Sequence, residues 1–154
     1  METSLVEKLG LPSIDQVGYV VRDLERAIAT FGAVFGPFHT MVSELHGTNH
    51  RGRSSDVTLK MGFGRSGPLE IELIEPVTGG SPHLDVLEQR GEGVHHIRFK
   101  VDDLDPPLAG LAELGFEVIW SHSMPELPAR WAYLDGPADQ GGALIELYEP
   151  PPGG

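Results

Sequence analysis

Cysteine is absent from this chain, which rules out disulfide bridges, thiolate zinc sites and thiol nucleophiles. Basic residues are scarce: 11 Lys and Arg face 23 Asp and Glu, for a net charge of −12. That balance argues against a nucleic-acid reader, which needs a basic face toward phosphate, and the acidic surplus reads as solubility. No apolar run approaches the roughly 20 residues that cross a bilayer as a helix. Residues 1–8 lack the basic flank and apolar core of a secretory signal. These absences lead us to expect a cytoplasmic protein with neither nucleic acid nor membrane as partner. What is present, 154 residues of 40% hydrophobic content, suffices for one compact domain or two small modules sharing a core.

The chain repeats itself. The run Asp15-Gln16-Val17-Gly18-Tyr19-Val20-Val21-Arg22-Asp23-Leu24 returns as His95-His96-Ile97-Arg98-Phe99-Lys100-Val101-Asp102-Asp103-Leu104. Each copy ends on a matching segment, Ile71-Glu72-Leu73-Ile74-Glu75-Pro76 and Ile145-Glu146-Leu147-Tyr148-Glu149-Pro150. Apolar patterning predicts opening strands over 17–21 and 97–101. Asp23 and Asp103 stand where helix N-caps belong. Leu24, Ile28, Phe31 and Phe35 follow the first at helical spacing, and Leu104, Leu108, Leu111 and Leu114 the second. Pro106 and Pro107 fit only a first turn, and Gly36 and Gly115 end the two helices.

Further strands are expected over 38–43, 56–61 and 69–74, then over 117–121, 131–134 and 143–148. Each copy is thus a βαβββ module. Module 1 covers about 13–76, a connector with a short helix over 83–89 covers 77–93, and module 2 covers about 94–150. Residues 1–12 and the proline-rich tail are peripheral. The expected architecture is α+β: two βαβββ modules in tandem, forming a curved mixed sheet around a central pocket within a domain over 13–150.

Superposing the copies pairs Gln16 with His96 and Glu72 with Glu146. A pseudo-two-fold axis would gather these four, giving one imidazole, one amide oxygen and two carboxylates as a divalent-metal set. Such ligands suit hard or borderline ions. Because strand alternation turns only one of His95 and His96 inward, the repeat register selects His96. Glu75 and Glu149 are expected to face solvent. The polar stretch 44–53 reads as a lid loop in which His50 is a proton-transfer group and Arg51 and Arg53 are anion contacts. Arg130 and Trp131 open a later strand as substrate contacts.

On these residues the chain resembles the vicinal oxygen chelate superfamily, the glyoxalase, bleomycin-resistance and dioxygenase group. The likeness covers about 13–150. Ile71 to Pro76, Gly80-Ser81-Pro82, Gly91-Glu92-Gly93-Val94-His95-His96-Ile97 and Gly141-Gly142-Ala143-Leu144-Ile145-Glu146-Leu147 are most similar to its methylmalonyl-CoA epimerase-like members. The resemblance implies His96 and Glu146 as metal ligands, Glu72 as a third ligand or near neighbour, and Glu146 or Glu72 as a base. A first-strand histidine expected as a ligand is Gln16 here. A base expected near Asn49, His50 and Arg51 has no equivalent, and Ser123 to Pro128 replace a glycine-rich stretch.

The implied function is a metal-dependent epimerase or isomerase acting alpha to a carbonyl, on a substrate such as an acyl-CoA, with Co, Mn, Mg, Ni or Zn as cofactor. The alternatives are a metal-free small-molecule binding or resistance protein of the same fold, or a glyoxalase-type lyase. An iron dioxygenase fits least, since it needs two histidines and the repeat positions offer one. The superfamily's habit of pairing modules within or between chains allows a homodimer.

Overall fold

The computed structural model describes residues 4–124, 128–137 and 142–153. Module 1 contains β1 (Gln16–Val20), α2 (Leu24–Phe35), β2 (His39–His50), β3 (Arg53–Ser66) and β4 (Leu69–Thr78). Module 2 repeats the order with β5 (Gly93–Lys100), α4 (Asp105–Glu113), β6 (Glu117–Ser123), β7 (Arg130–Asp135) and β8 (Leu144–Glu149). A short α1 (Leu5–Leu9) precedes them, and α3 (Pro82–Arg90) joins them. No described helix is long and apolar enough to cross a membrane.

The eight strands form a closed barrel in the order β1-β4-β3-β2-β6-β7-β8-β5. Within each module the opening strand runs parallel to the closing one, β1 with β4 and β5 with β8. The modules meet at two antiparallel seams. At one, β1 and β5 pair over five positions, from Gln16 with Arg98 to Val20 with Gly93. At the other, β2 and β6 pair only through Asn49 with Ser121 and His50 with Trp120.

Strand alternation sorts the residues between barrel interior and helix layer. Glu72 and Ile74 line the interior, while Leu73, fully buried, packs under α2 with Val21 and Leu24. In the second module Glu146 and Tyr148 line the interior, and Leu147 packs with Leu111 of α4 and Leu134. Fully burying such a leucine contributes about 1.5–3 kcal/mol, so each helix is anchored mainly by this layer.

Several expectations change. The stretch 44–53 is not a lid loop: β2 continues to His50, and a two-residue turn at Arg51 and Gly52 (φ 53° and 83°) returns the chain into β3. Polar composition suggested a loop, but Leu45 and Thr48 are buried and give this part of the strand an inward face. Asp23 caps α2 by accepting from the Arg26 N–H, whereas Asp103 lies one residue too early. Leu104 holds the cap position of α4, and Asp103 Oδ1 accepts from the Asp105 N–H instead.

Glu75 and Glu149 do not simply face solvent. Glu75 Oε1 accepts from the Leu24 N–H at 2.8 Å and Glu149 Oε1 from the Leu104 N–H at 3.0 Å, so each closing strand tethers the start of its module's helix. α1 also docks: Leu9 packs in the α4 cluster, so the N-terminal segment is less peripheral than expected. Of the stretch 123–128, residues 125–127 lie outside the described residues, as does Gly141.

Candidate metal centre and cavity

The repeat-matched residues meet inside the barrel. Gln16 and His96 are fully buried, and Glu72 and Glu146 are 7% exposed. His96 Nε2 lies 2.8 Å from Gln16 Oε1, 3.4 Å from Glu72 Oε1 and 3.3 Å from Glu146 Oε1. The Gln16 amide is oriented by its own Nε2, which donates to Glu70 Oε1 at 2.8 Å and leaves Oε1 toward His96. Three oxygen acceptors from three strands therefore surround one imidazole nitrogen. Gly18 makes room for this: it faces His96 across the β1–β5 seam, and a Cβ there would overlap the imidazole.

That donor set fits a divalent cation. His96 Nε2 has all three oxygens within 3.4 Å, and two carboxylates offset a charge of +2. The residues that would hold it are Gln16, Glu72, His96 and Glu146.

Both histidines of the pair point inward, contrary to simple alternation. Gly18 pairs with His96 and Tyr19 with Val94, leaving His95 as the extra residue of a β-bulge. His95 is fully buried, with Nδ1 2.9 Å from His96 Nδ1. Burial first, and then the neighbouring His96, lowers its pKa to about 3. His83, at the start of α3, stacks on His95 and is held well below the usual histidine range, chiefly by burial. His83 Nδ1 and His95 Nε2 make no hydrogen bond.

Glu72 and Glu146 open on a cavity of about 280 Å³ with a largely apolar wall that includes Leu59, Met61, Phe63, Trp120 and Trp131. Burial raises the Glu146 carboxyl to about 7 against the opposing pull of His96 and Arg98. Tyr133, paired with Glu146 across β7 and β8, has its hydroxyl 3.4 Å from His83 Nε2. Burial holds the Tyr133 phenol well above its ordinary range. Arg98 also lines the cavity. Burial pulls its pKa down, but a two-point bond to Asp15 and the charges of Glu146 and Glu72 outweigh this and hold it cationic.

The remaining expected site residues are dispersed. Trp131 lines the cavity, but its neighbour Arg130 takes the outer face, bonded to Glu149 through Nε and Nη2 at 3.0 and 2.8 Å. Arg51 and Arg53 are exposed at the hairpin tip, and His50 bonds Asp85 at 3.1 Å without lining the cavity. Tyr133, Arg98, His83 and His95 join the site without being marked by the repeat register. The alternation of Trp131 and Tyr133 was a readable signal for the first, whereas His83 and His95 depend on a helix placement and a bulge that one sequence does not reveal.

A family model described as the glyoxalase/bleomycin resistance protein/dioxygenase superfamily matches residues 15–133. The chain belongs to that superfamily. One relative is the uncharacterized protein YqjC of Bacillus subtilis strain 168, 30% identical over 137 residues that cover 89% of this chain and 91% of that protein. Among solved structures of the superfamily's fold, the methylmalonyl-CoA epimerase of Mycobacterium tuberculosis is 25% identical with a TM-score of 0.64, covering 99% of this chain and 94% of its own. A Streptomyces coelicolor methylmalonyl-CoA epimerase variant in complex with 2-nitronate-propionyl-CoA is 29% identical with a TM-score of 0.62, covering 90% of this chain and 96% of its own. The structural neighbours of this superfamily member thus include methylmalonyl-CoA epimerases.

Proposed function

We propose that this protein is a divalent-metal-dependent epimerase or isomerase that moves the proton on carbon beside a carbonyl, with an acyl-CoA thioester such as methylmalonyl-CoA as substrate. The observation that carries this reading is the convergence of Gln16, Glu72 and Glu146 oxygens on His96 Nε2 at the cavity wall. A cation held there supplies Lewis-acid polarisation of the substrate carbonyl.

The chain's own groups do the rest. Glu146 is the base, placed at the cavity wall across from Tyr133 on the neighbouring strand. Glu72 is a ligand and the second carboxylate of the cavity, the group left to return the proton to the opposite face when Glu146 removes it. The apolar wall, with Trp131 within it, encloses the acyl group and keeps water from the carbanion-like carbon. Arg51 and Arg53, exposed on the hairpin, meet the anionic end of the coenzyme, and Arg130 acts on substrate only through the strand it anchors.

Exchange of the alpha proton of methylmalonyl-CoA into heavy water tests the assignment. Protein loaded with Mn²⁺ or Co²⁺ exchanges it, and EDTA or Glu146→Gln abolishes the exchange. Metal at full occupancy with no exchange would overturn the epimerase reading. The apolar cavity wall also favours a second reading, a metal-free binder of small molecules. Ligand binding lost in Trp131→Ala and indifferent to chelators would select it.

A further inference from the structure

His83, His95 and His96 each bring a nitrogen within 4.8 Å of the others, yet they do not form a second metal cage. The His83 and His95 rings are stacked, with centroids 4.4 Å and planes 18° apart, so their in-plane lone pairs run side by side rather than to one point. What the stack does is fix the His95 ring edge-on to His96, whose ring stands at 87° to it.

A neutral imidazole carries one proton, and the nitrogen without it is the one that ligates. For His96 to present a bare Nε2 among Gln16, Glu72 and Glu146, its proton has to sit on Nδ1. The acceptor waiting there is His95 Nδ1, at 2.9 Å. His95 then carries its own proton on Nε2, which has no hydrogen-bond partner among the described residues. Without the bulge, His95 would point to the opposite face and His96 Nδ1 would lose this partner.

We propose that His95 is a positioning residue: by accepting the His96 Nδ1–H it holds His96 in the tautomer and orientation that leave Nε2 open to a divalent cation. The proposal rests on the metal reading above and adds to it the group that sets up the imidazole. A histidine ligand's outer partner of this kind typically contributes tenfold to a hundredfold in metal affinity.

The test is calorimetric titration of the whole protein with Mn²⁺, and the absorption spectrum with Co²⁺, for wild type, His95→Leu and His95→Asn. Asn places an acceptor oxygen near the position of Nδ1. His95→Leu is expected to bind about tenfold to a hundredfold more weakly with a shifted Co²⁺ spectrum, and His95→Asn to restore affinity and spectrum. Equal affinity in wild type and His95→Leu overturns the positioning role while leaving the metal site intact. Wild type that binds none of Mn²⁺, Co²⁺ and Zn²⁺ overturns both. Should the leucine variant fail to fold, imidazole ¹⁵N resonances of Zn²⁺-loaded wild type decide alone. A proton on His96 Nδ1 and on His95 Nε2 is expected, and a proton on His95 Nδ1 overturns the proposal.

Discussion

The two modules share a frame but not a site. Both place a fully buried leucine, Leu73 or Leu147, beneath a helix. Both aim a glutamate, Glu75 or Glu149, at the first amides of that helix, and both present a glutamate, Glu72 or Glu146, to the cavity. The modules part at the positions between. Where module 1 has Gln16 and Gly18, module 2 has His96 and Arg98, and these four face each other in pairs across the seam: Gln16 with Arg98 and Gly18 with His96. Gly18 leaves room for His96, while Gln16 lies opposite Arg98, so one axis yields a lopsided pocket whose imidazole and guanidinium both come from module 2. The β2–β3 hairpin, of 12- and 14-residue strands, also outgrows the 7- and 6-residue strands of β6 and β7. Duplication supplies the scaffold, and departures from it supply the chemistry.

The sharpest way to break this asymmetry is at the seam. Arg98→Met leaves Asp15 without its two-point partner in a half-buried setting, and we expect a loss of about 3 kcal/mol, read by urea unfolding. Gly18→Ala, in the neighbouring pair of the same seam, pushes on the His96 ring and costs about 1–3 kcal/mol by overpacking. It is also expected to weaken the metal binding proposed for His96, which Arg98→Met need not do.

The shared frame is probed more gently by the tethering glutamates. Glu75→Ala removes a helix-start acceptor and costs about 1 kcal/mol. Glu149→Ala loses the same contact plus the Arg130 pair, an exposed ion pair worth at most about 1 kcal/mol more. Thermal unfolding of the two variants side by side measures the difference between equivalent positions.

A last effect is a dependence on pH in metal-free protein. His83 and His95 have folded-state pKa values lowered by burial, so the folded protein binds fewer protons than the unfolded one below the ordinary histidine value of 6.5. Their contribution is full above 6.5 and is lost as pH falls below it. Glu146 has the opposite sign: raised to about 7, it contributes most below 4.5 and loses that contribution as pH rises through 7. Stability is therefore expected to fall between pH 6.5 and 5 with Glu146 cushioning the loss, and to fall more steeply in Glu146→Gln. Urea midpoints at pH 7.5, 6 and 5 check this.

Much of the frame was legible because it rests on periodicity. The repeat located the βαβββ order, Asp23 capped as its chemistry requires, and superposed copies brought Gln16, Glu72, His96 and Glu146 to adjoining strands. The less legible features depend on contacts distant in sequence. Glu75 and Glu149 look like solvent-facing residues until the helix start arrives to be capped. His95 looks outward until a single unpaired residue on β5 turns it inward. The 44–53 stretch looks like a loop because its polar residues belong to a strand that needs β6 to complete it.

The seams themselves are unequal. Five residue pairs hold β1 to β5, while two hold β2 to β6, with one further bond from the Arg51 N–H to the Ile119 carbonyl. Local opening follows the weakest cooperative unit. The barrel is thus a clasp rather than a ring: its interior can be reached by parting three short attachments while the strands bearing Gln16, Glu72, His96 and Glu146 stay locked. Amides around His50 and Trp120 should trade hydrogen with solvent well before those of β1 and β5. Traffic into the cavity would then be timed by the latch at one edge, with the cluster of Gln16, Glu72, His96 and Glu146 undisturbed at the other.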